Sequence, residues 1–167
     1  NNVAVGRNAL NANTTASGNT AVGKDSLKAN TTGSGNIGIG LDAGTAITTG
    51  NQNIAIGNEA LLATTTNSGN TAVGYIALQD NTADHNTAVG GQALLQNTTG
   101  TRNVAVGSFS LDANTTASEN TAVGYAALSA NTTGANNTSV GRSALSNNTT
   151  ADSNTAVGYQ ALGENTT

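Results

Sequence analysis

The side chains able to do chemistry in this chain are few and far apart. His85 is the only histidine, there is no cysteine, and Asp84 is the carboxylate beside the imidazole. Acid–base catalysis and metal ligation need several such groups brought together. His85 therefore reads as a solvated turn residue. No pair of carboxylates recurs in register, and the Gly-Gly-x-Gly-x-Asp phrase of calcium-binding repeats is absent. The glycine-rich stretches lack the lysine and following helix of a phosphate loop. The expectation is a protein that is not an enzyme, with no catalytic residue, no metal and no cofactor.

Two other residue types could act at a surface. Asn-Thr-Thr at Asn13, Asn30, Asn97, Asn114 and Asn131 matches the N-glycosylation pattern. Tyr75, Tyr125 and Tyr159 could contact a receptor or stack on sugars. What either can do depends on the elements that carry them, and those elements are repeats.

Read with a period of 17 from Asn2, the chain is ten copies of N-[TVI]-A-[VI]-G-x-x-A-L-x-x-N-T-T-x-x-x. The first Asn recurs at Asn2, Asn19, Asn36, Asn53, Asn70, Asn86, Asn103, Asn120, Asn137 and Asn154. The unit that begins at Asn70 is one residue short. A strict period of this length is the signature of a solenoid, in which each unit is one coil stacked on the last. The expected fold is an all-β parallel β-solenoid, or β-roll, of about ten coils. It forms one repeat domain over residues 1–167. At roughly 4.8 Å per coil the rod would be about 48 Å long.

Composition agrees with an ordered stack rather than an ordinary globule. Only 8% of the 167 residues are charged, about a third of the usual share. The β-branched residues keep register, which separates the chain from low-complexity disorder. A net charge of -4 with five scattered basic residues speaks against nucleic acid. No apolar run reaches the ~18 residues of a membrane span, so this segment is not expected to insert. The first residue is Asn1 rather than methionine, which suggests a fragment of a longer fibrous chain.

Charge maps the coil. Arg7, Lys24 and Arg142 fall at position six, and Asp25, Asp42 and Glu59 at position seven. Others occupy positions ten, eleven and fifteen to seventeen. Positions one to five, eight, nine and twelve to fourteen never carry a charge, which marks them as buried or stacked. Position two is Thr, Val or Ile, position three is Ala, Gly or Ser, and position four is Val or Ile. This is strand alternation, with the large pair on one face. The expected core is a column of Val22, Ile39, Ile56, Val89, Val123 and Val157 beside a column of Leu27, Leu61, Leu94 and Leu128.

Stacking puts like over like. Asn at positions one and twelve can bond amide to amide along the stack, as in cross-β ladders. Asn19, Asn53, Asn86, Asn120 and Asn154 represent the first column, and Ile47 and Thr64 interrupt the second. Thr31, Thr98 and Thr132 belong to a hydroxyl column at position thirteen. In such ladders Asn-Thr-Thr is structural, and a glycan on its Asn would break the column. The Gly at position five suits a corner with positive φ or close backbone approach. The absence of Asn-Gly and Asp-Gly argues against tight hairpins and for winding in one direction. Two large apolar residues per coil make a thin core. Lateral association would cover a second face, and the small column at position three suits close approach of a neighbour.

The pentads Asn53-Ile54-Ala55-Ile56-Gly57 and Asn19-Thr20-Ala21-Val22-Gly23 resemble the phrase repeated in YadA-like heads of trimeric autotransporter adhesins. The run from Asn154 to Leu162, followed by Asn165-Thr166-Thr167, resembles repeat arrays of phage tail-fibre proteins. The resemblance implies a left-handed β-roll, a homotrimer or higher filament of parallel chains, and surface attachment. It places the protein outside the cell, on a cell surface or a virion fibre, with a cell-surface receptor or glycan as partner. The chain departs from the adhesin heads in its longer unit and its inserted Asn-Thr-Thr.

Two functions follow. The first is a rigid structural fibre segment that spaces or presents an attachment tip. The second is ice binding through Thr and Asn ladders. Threonines at positions thirteen and fourteen are neighbours and would face opposite sides of a strand, which disfavours a flat two-file face.

Overall fold

A computed structural model describes residues 1–166. Ten three-residue strands, one per repeat, form a single parallel sheet in sequence order. They are β1 (Val3–Val5), β2 (Thr20–Val22), β3 (Ile37–Ile39), β4 (Ile54–Ile56) and β5 (Thr71–Val73). β6 (Thr87–Val89), β7 (Val104–Val106), β8 (Thr121–Val123), β9 (Thr138–Val140) and β10 (Thr155–Val157) follow. Ten parallel strands wind through about nine turns, with no helix among the described residues. The chain is a β-solenoid repeat protein. Each strand pairs position for position with the next, as in Thr20↔Ile37, Ala21↔Gly38 and Val22↔Ile39.

The corner after each strand is dictated by one atom. A Cβ on Gly107 would lie 2.5 Å from the carbonyl oxygen of Gly124 one coil on, at φ +129°. Neither the space nor the dihedral admits a side chain, so position five is glycine in every coil. Beyond it the chain turns repeatedly through i→i+3 bonds, such as Ala9 N–H to Gly6 O and Asn13 N–H to Leu10 O. Positions seven and nine take φ near +50°, as at Asp25 (56°) and Leu27 (46°). Leucine seldom adopts this conformation, yet here it carries the side chain inward.

That turn corrects the expected core. Leu27, Leu61, Leu94 and Leu128 are fully buried, as read from the sequence. The strand faces are reversed. The small residue at position three points in, with Ala21, Ala55, Ala88 and Ala122 at 0% exposure. Val22, Ile56 and Val123 are half-buried, Ile39 and Val89 are exposed, and Val157 is 69% exposed. The interior is too narrow for two large columns. A Cβ on Gly38 would already meet Leu27 Cγ at 2.8 Å and Ser26 Oγ at 2.5 Å. Leucine and two asparagines fill the coil, so the strand can contribute only a methyl group. The small column thus faces inward and is not a surface for a neighbouring chain. The stack survives this reversal because the strand ladder forms whichever face is wet.

The lone chain exposes 6767 Å², about a tenth below the roughly 7,500 Å² typical of a 16.3 kDa monomer. Buried amides and backbone stacking make up for the thin apolar core. Shortage of burial therefore gives no reason for association.

One coil departs from the leucine pattern. Gly44 stands at position nine and Ile47 at position twelve, where other coils place Leu and most place Asn. Ile47 is fully buried, and a Cβ on Gly44 would sit 3.0 Å from its Cδ1. The isoleucine fills the space the missing leucine leaves beside Gly44.

Candidate functional surfaces

The asparagine columns are the most ordered polar feature. At position one each Asn before the last bonds twice, once to the next coil and once to the far end of its own. Asn19 Oδ1 accepts from Asn36 N–H at 2.8 Å, and its Nδ2 donates to Gly33 O at 2.8 Å. The same backbone acceptance ties Asn53, Asn86 and Asn120 to the Asn before each. Asn154, half-buried in the last coil, donates its N–H to Asn137 Oδ1 at 2.8 Å. The first column is thus chiefly a side-chain-to-backbone clamp, with longer amide-to-amide contacts such as Asn53 Nδ2 to Asn36 Oδ1 at 3.2 Å. The amide ladder proper lies at position twelve, as in Asn114 Nδ2 to Asn97 Oδ1 at 2.8 Å. Where Ile47 interrupts it, Asn30 Oδ1 is left buried without a donor.

The threonine column also differs from expectation. Thr31, Thr98 and Thr132 donate to the carbonyls of Thr48, Thr115 and Thr149 at 3.2, 2.9 and 3.1 Å. They bond to backbone, not to one another. A hydroxyl at this bend reaches a carbonyl one coil away before it reaches the next hydroxyl. Positions thirteen and fourteen form a bend rather than a strand, and the position-fourteen threonines Thr32, Thr49, Thr99, Thr116 and Thr133 are all exposed.

A third ladder was missed. At position sixteen a short polar side chain accepts the backbone N–H of the preceding coil: Asn51 Oδ1 from Ser34 at 2.9 Å, Asp152 Oδ1 from Ala135 at 2.6 Å. The signal was there as Ser, Thr, Asn or Asp at Ser17, Ser34, Asn51, Ser68, Asp84, Thr101, Ser118 and Asp152. Mixed residue types and the shortened coil masked the period. Asp84 belongs to this ladder, accepting from Ser68 N–H at 2.7 Å. His85 is exposed at φ +60° and lies over Gly69. The two neighbours thus serve the turn. The missing residue is a position-fourteen threonine, since Asn81 Nδ2 reaches Ala83 O at 2.8 Å just as Asn30 reaches Gly33.

The asparagines of the Asn-Thr-Thr segments at Asn30, Asn97, Asn114 and Asn131 are fully buried. Their amides are committed inside the coil, which leaves no room for a glycan. No group of three or more potential metal ligands gathers among the described residues. Among the described residues no helix is long and apolar enough to cross a membrane.

Two carboxylates have distinct environments. Asp25 accepts from Asn8 Nδ2 at 2.8 Å and lies 3.6 and 3.4 Å from Lys24 and Lys28. The Asn8 hydrogen bond, with the two lysines, holds its carboxyl below the ordinary value. Asp112 is pushed up by burial, partly offset by the N–H groups of Asp112 and Ala113, and its Oδ1 is buried without a partner.

The tyrosines do not form a continuous strip of their own kind. Tyr75 lies two coils from Phe109. Tyr125 and Tyr159, however, are joined by Arg142, whose guanidinium carbon lies 5.7 and 5.9 Å from their ring centroids. Phe109 extends the row, edge-on to Tyr125 at 5.7 Å. The period placed these four at one corner, but their differing types concealed the row.

No family model, curated protein or solved structure matches the chain.

Proposed function

We propose that this chain is a rigid segment of an extracellular fibre, a left-handed roll assembled side by side as a parallel homotrimer, which spaces or presents an attachment tip on a cell surface or virion. The observation that carries this reading is the outward strand face. Val or Ile at position four, flanked by Thr, Val or Ile at position two, runs along all ten strands without a charge. Val5, Ile39, Val89 and Val106 are 57, 38, 37 and 37% exposed. A long uncharged aliphatic strip is the kind of surface that proteins cover. The occupant that matches its length and period coil for coil is a second copy of the same chain.

Sedimentation velocity at micromolar concentration tests the assembly. The expected species is a trimer, and the double variant Val89→Asp with Val123→Asp should sediment as a folded monomer. A wild-type chain that stays monomeric sinks the lateral assembly.

The exposed position-fourteen threonines support a second reading, ice binding. It is weakened because the adjacent position-thirteen hydroxyls are spent on backbone carbonyls. Thermal hysteresis of the wild-type chain decides it, and none is expected.

A further inference from the structure

We propose that the row Phe109–Tyr125–Arg142–Tyr159 is a binding site for the carboxylates of an acidic polysaccharide. This deepens the attachment side of the fibre reading, but it uses a different surface from the strand face.

The row spans four successive coils at the corner that follows each strand. Arg142 is exposed and sits between two tyrosine rings, with its guanidinium carbon over both. Stacking of this kind holds a guanidinium in place while leaving its N–H edge free. Its side chain makes no hydrogen bond or ion pair among the described residues. An unspent planar fork of donors is matched by a carboxylate, which it can bind through two parallel bonds. Tyr125 and Tyr159 are 51 and 67% exposed. With their faces turned to the guanidinium, they offer solvent their ring edges and hydroxyls on either side of the bound anion.

Local charge separates this corner from its counterparts. Position seven carries Asp25, Asp42 and Glu59 in the second to fourth coils, whereas the same position here is Phe109, Ala126, Ser143 and Gln160. A chain of net charge -4 thus keeps carboxylates away from its one aromatic-flanked arginine.

The shape selects the polymer. No pocket encloses this corner, so a small anion would be held by a single contact. Of the four strands beside the row, β7 to β9 are paired on both sides and only the end strand β10 has a free edge, so a peptide cannot add as a strand along this corner. A chain of carboxylated sugars can lie along the ridge. It would place an acid on Arg142 and hydroxyls on the phenols, and would repeat the contact on each copy of the assembled fibre.

The test is affinity electrophoresis of the whole chain in native gels containing polygalacturonate, neutral dextran or poly-glutamate. The wild-type chain should be retarded by polygalacturonate alone. Arg142→Gln and Tyr125→Ala should each weaken retardation by about tenfold or more, whereas Tyr75→Ala should not. Circular dichroism of each variant should match wild type, since all three positions are exposed. Absence of wild-type retardation overturns the proposal, and so does an Arg142→Gln variant that binds like wild type. Equal retardation by poly-glutamate overturns the polysaccharide assignment. Sedimentation reports the lateral assembly separately, so failure of either reading is recognised on its own.

Discussion

Asn19 and Asn30, at the first and twelfth positions of one coil, converge on one acceptor: the carbonyl of Gly33 receives Nδ2 of Asn19 at 2.8 Å and Nδ2 of Asn30 at 2.9 Å. The motif recurs at Gly100 with Asn86 and Asn97, and at Gly134 with Asn120 and Asn131. Both lone pairs of a buried carbonyl are used, and the start of each such coil is tied to its end through the interior. Buried polar groups that would otherwise cost stability close the coil, while Asn19 Oδ1, accepting from Asn36 N–H, joins it to the next.

Removing one arm of the joint should be costly. Asn120→Ala orphans the N–H of Asn137 and takes one of two donors from Gly134 O. The expected loss is on the order of 2–3 kcal/mol, measured by denaturant melts. A change below about 0.5 kcal/mol would show that water replaces the amide.

The exchange at Gly44 and Ile47 should behave as a coupled pair. Ile47→Asn alone leaves a cavity beside Gly44 and should cost about 2–4 kcal/mol. Gly44→Leu alone crowds Leu27 and Ile47 and should cost about 1–3 kcal/mol. The double variant restores the common coil, gives Asn30 Oδ1 its donor, and should lie within about 1 kcal/mol of wild type. Additive losses in this cycle would refute the compensation.

Corner glycines should tolerate nothing. Gly107→Ala brings Cβ against Gly124 O at a dihedral that alanine avoids, for about 3 kcal/mol or more. Ser108→Ala, one residue on, should change the melt by less than about 0.5 kcal/mol.

Stability should respond to acid in two opposite ways. Asp25 has a lowered carboxyl value in the folded state. Its contribution is therefore present above the unfolded value of about 3.9 and is lost as pH falls through the folded one. Asp25→Asn should flatten that loss. Asp112 has a raised value, so the folded chain holds the proton more tightly and stability grows as pH falls through it. Asp112→Asn should raise the neutral-pH melting temperature and remove that gain. An unchanged pH profile in both variants would refute these assignments.

On the outer strand face, Val123→Asp should leave the lone chain folded, at a cost near 1 kcal/mol or less. A loss of several kcal/mol in a monomeric chain would mean that this side chain is buried after all.

The period of 17, the strand at positions two to four, the leucine column and the asparagine registers were legible because parallel stacking repeats each contact every coil. A residue that meets its own kind, as Asn114 meets Asn97, writes its role into the sequence as a period. Which strand face is wet was not legible. Alternation marks Val22 and Ala21 as opposite, but only the width of the closed coil decides that the methyl goes in. That width comes from Leu27 at positive φ and from two buried amides. The row of Phe109, Tyr125, Arg142 and Tyr159 was hidden for the converse reason: unlike residues make a contact only when winding brings their coils together, and a sequence period records only likeness.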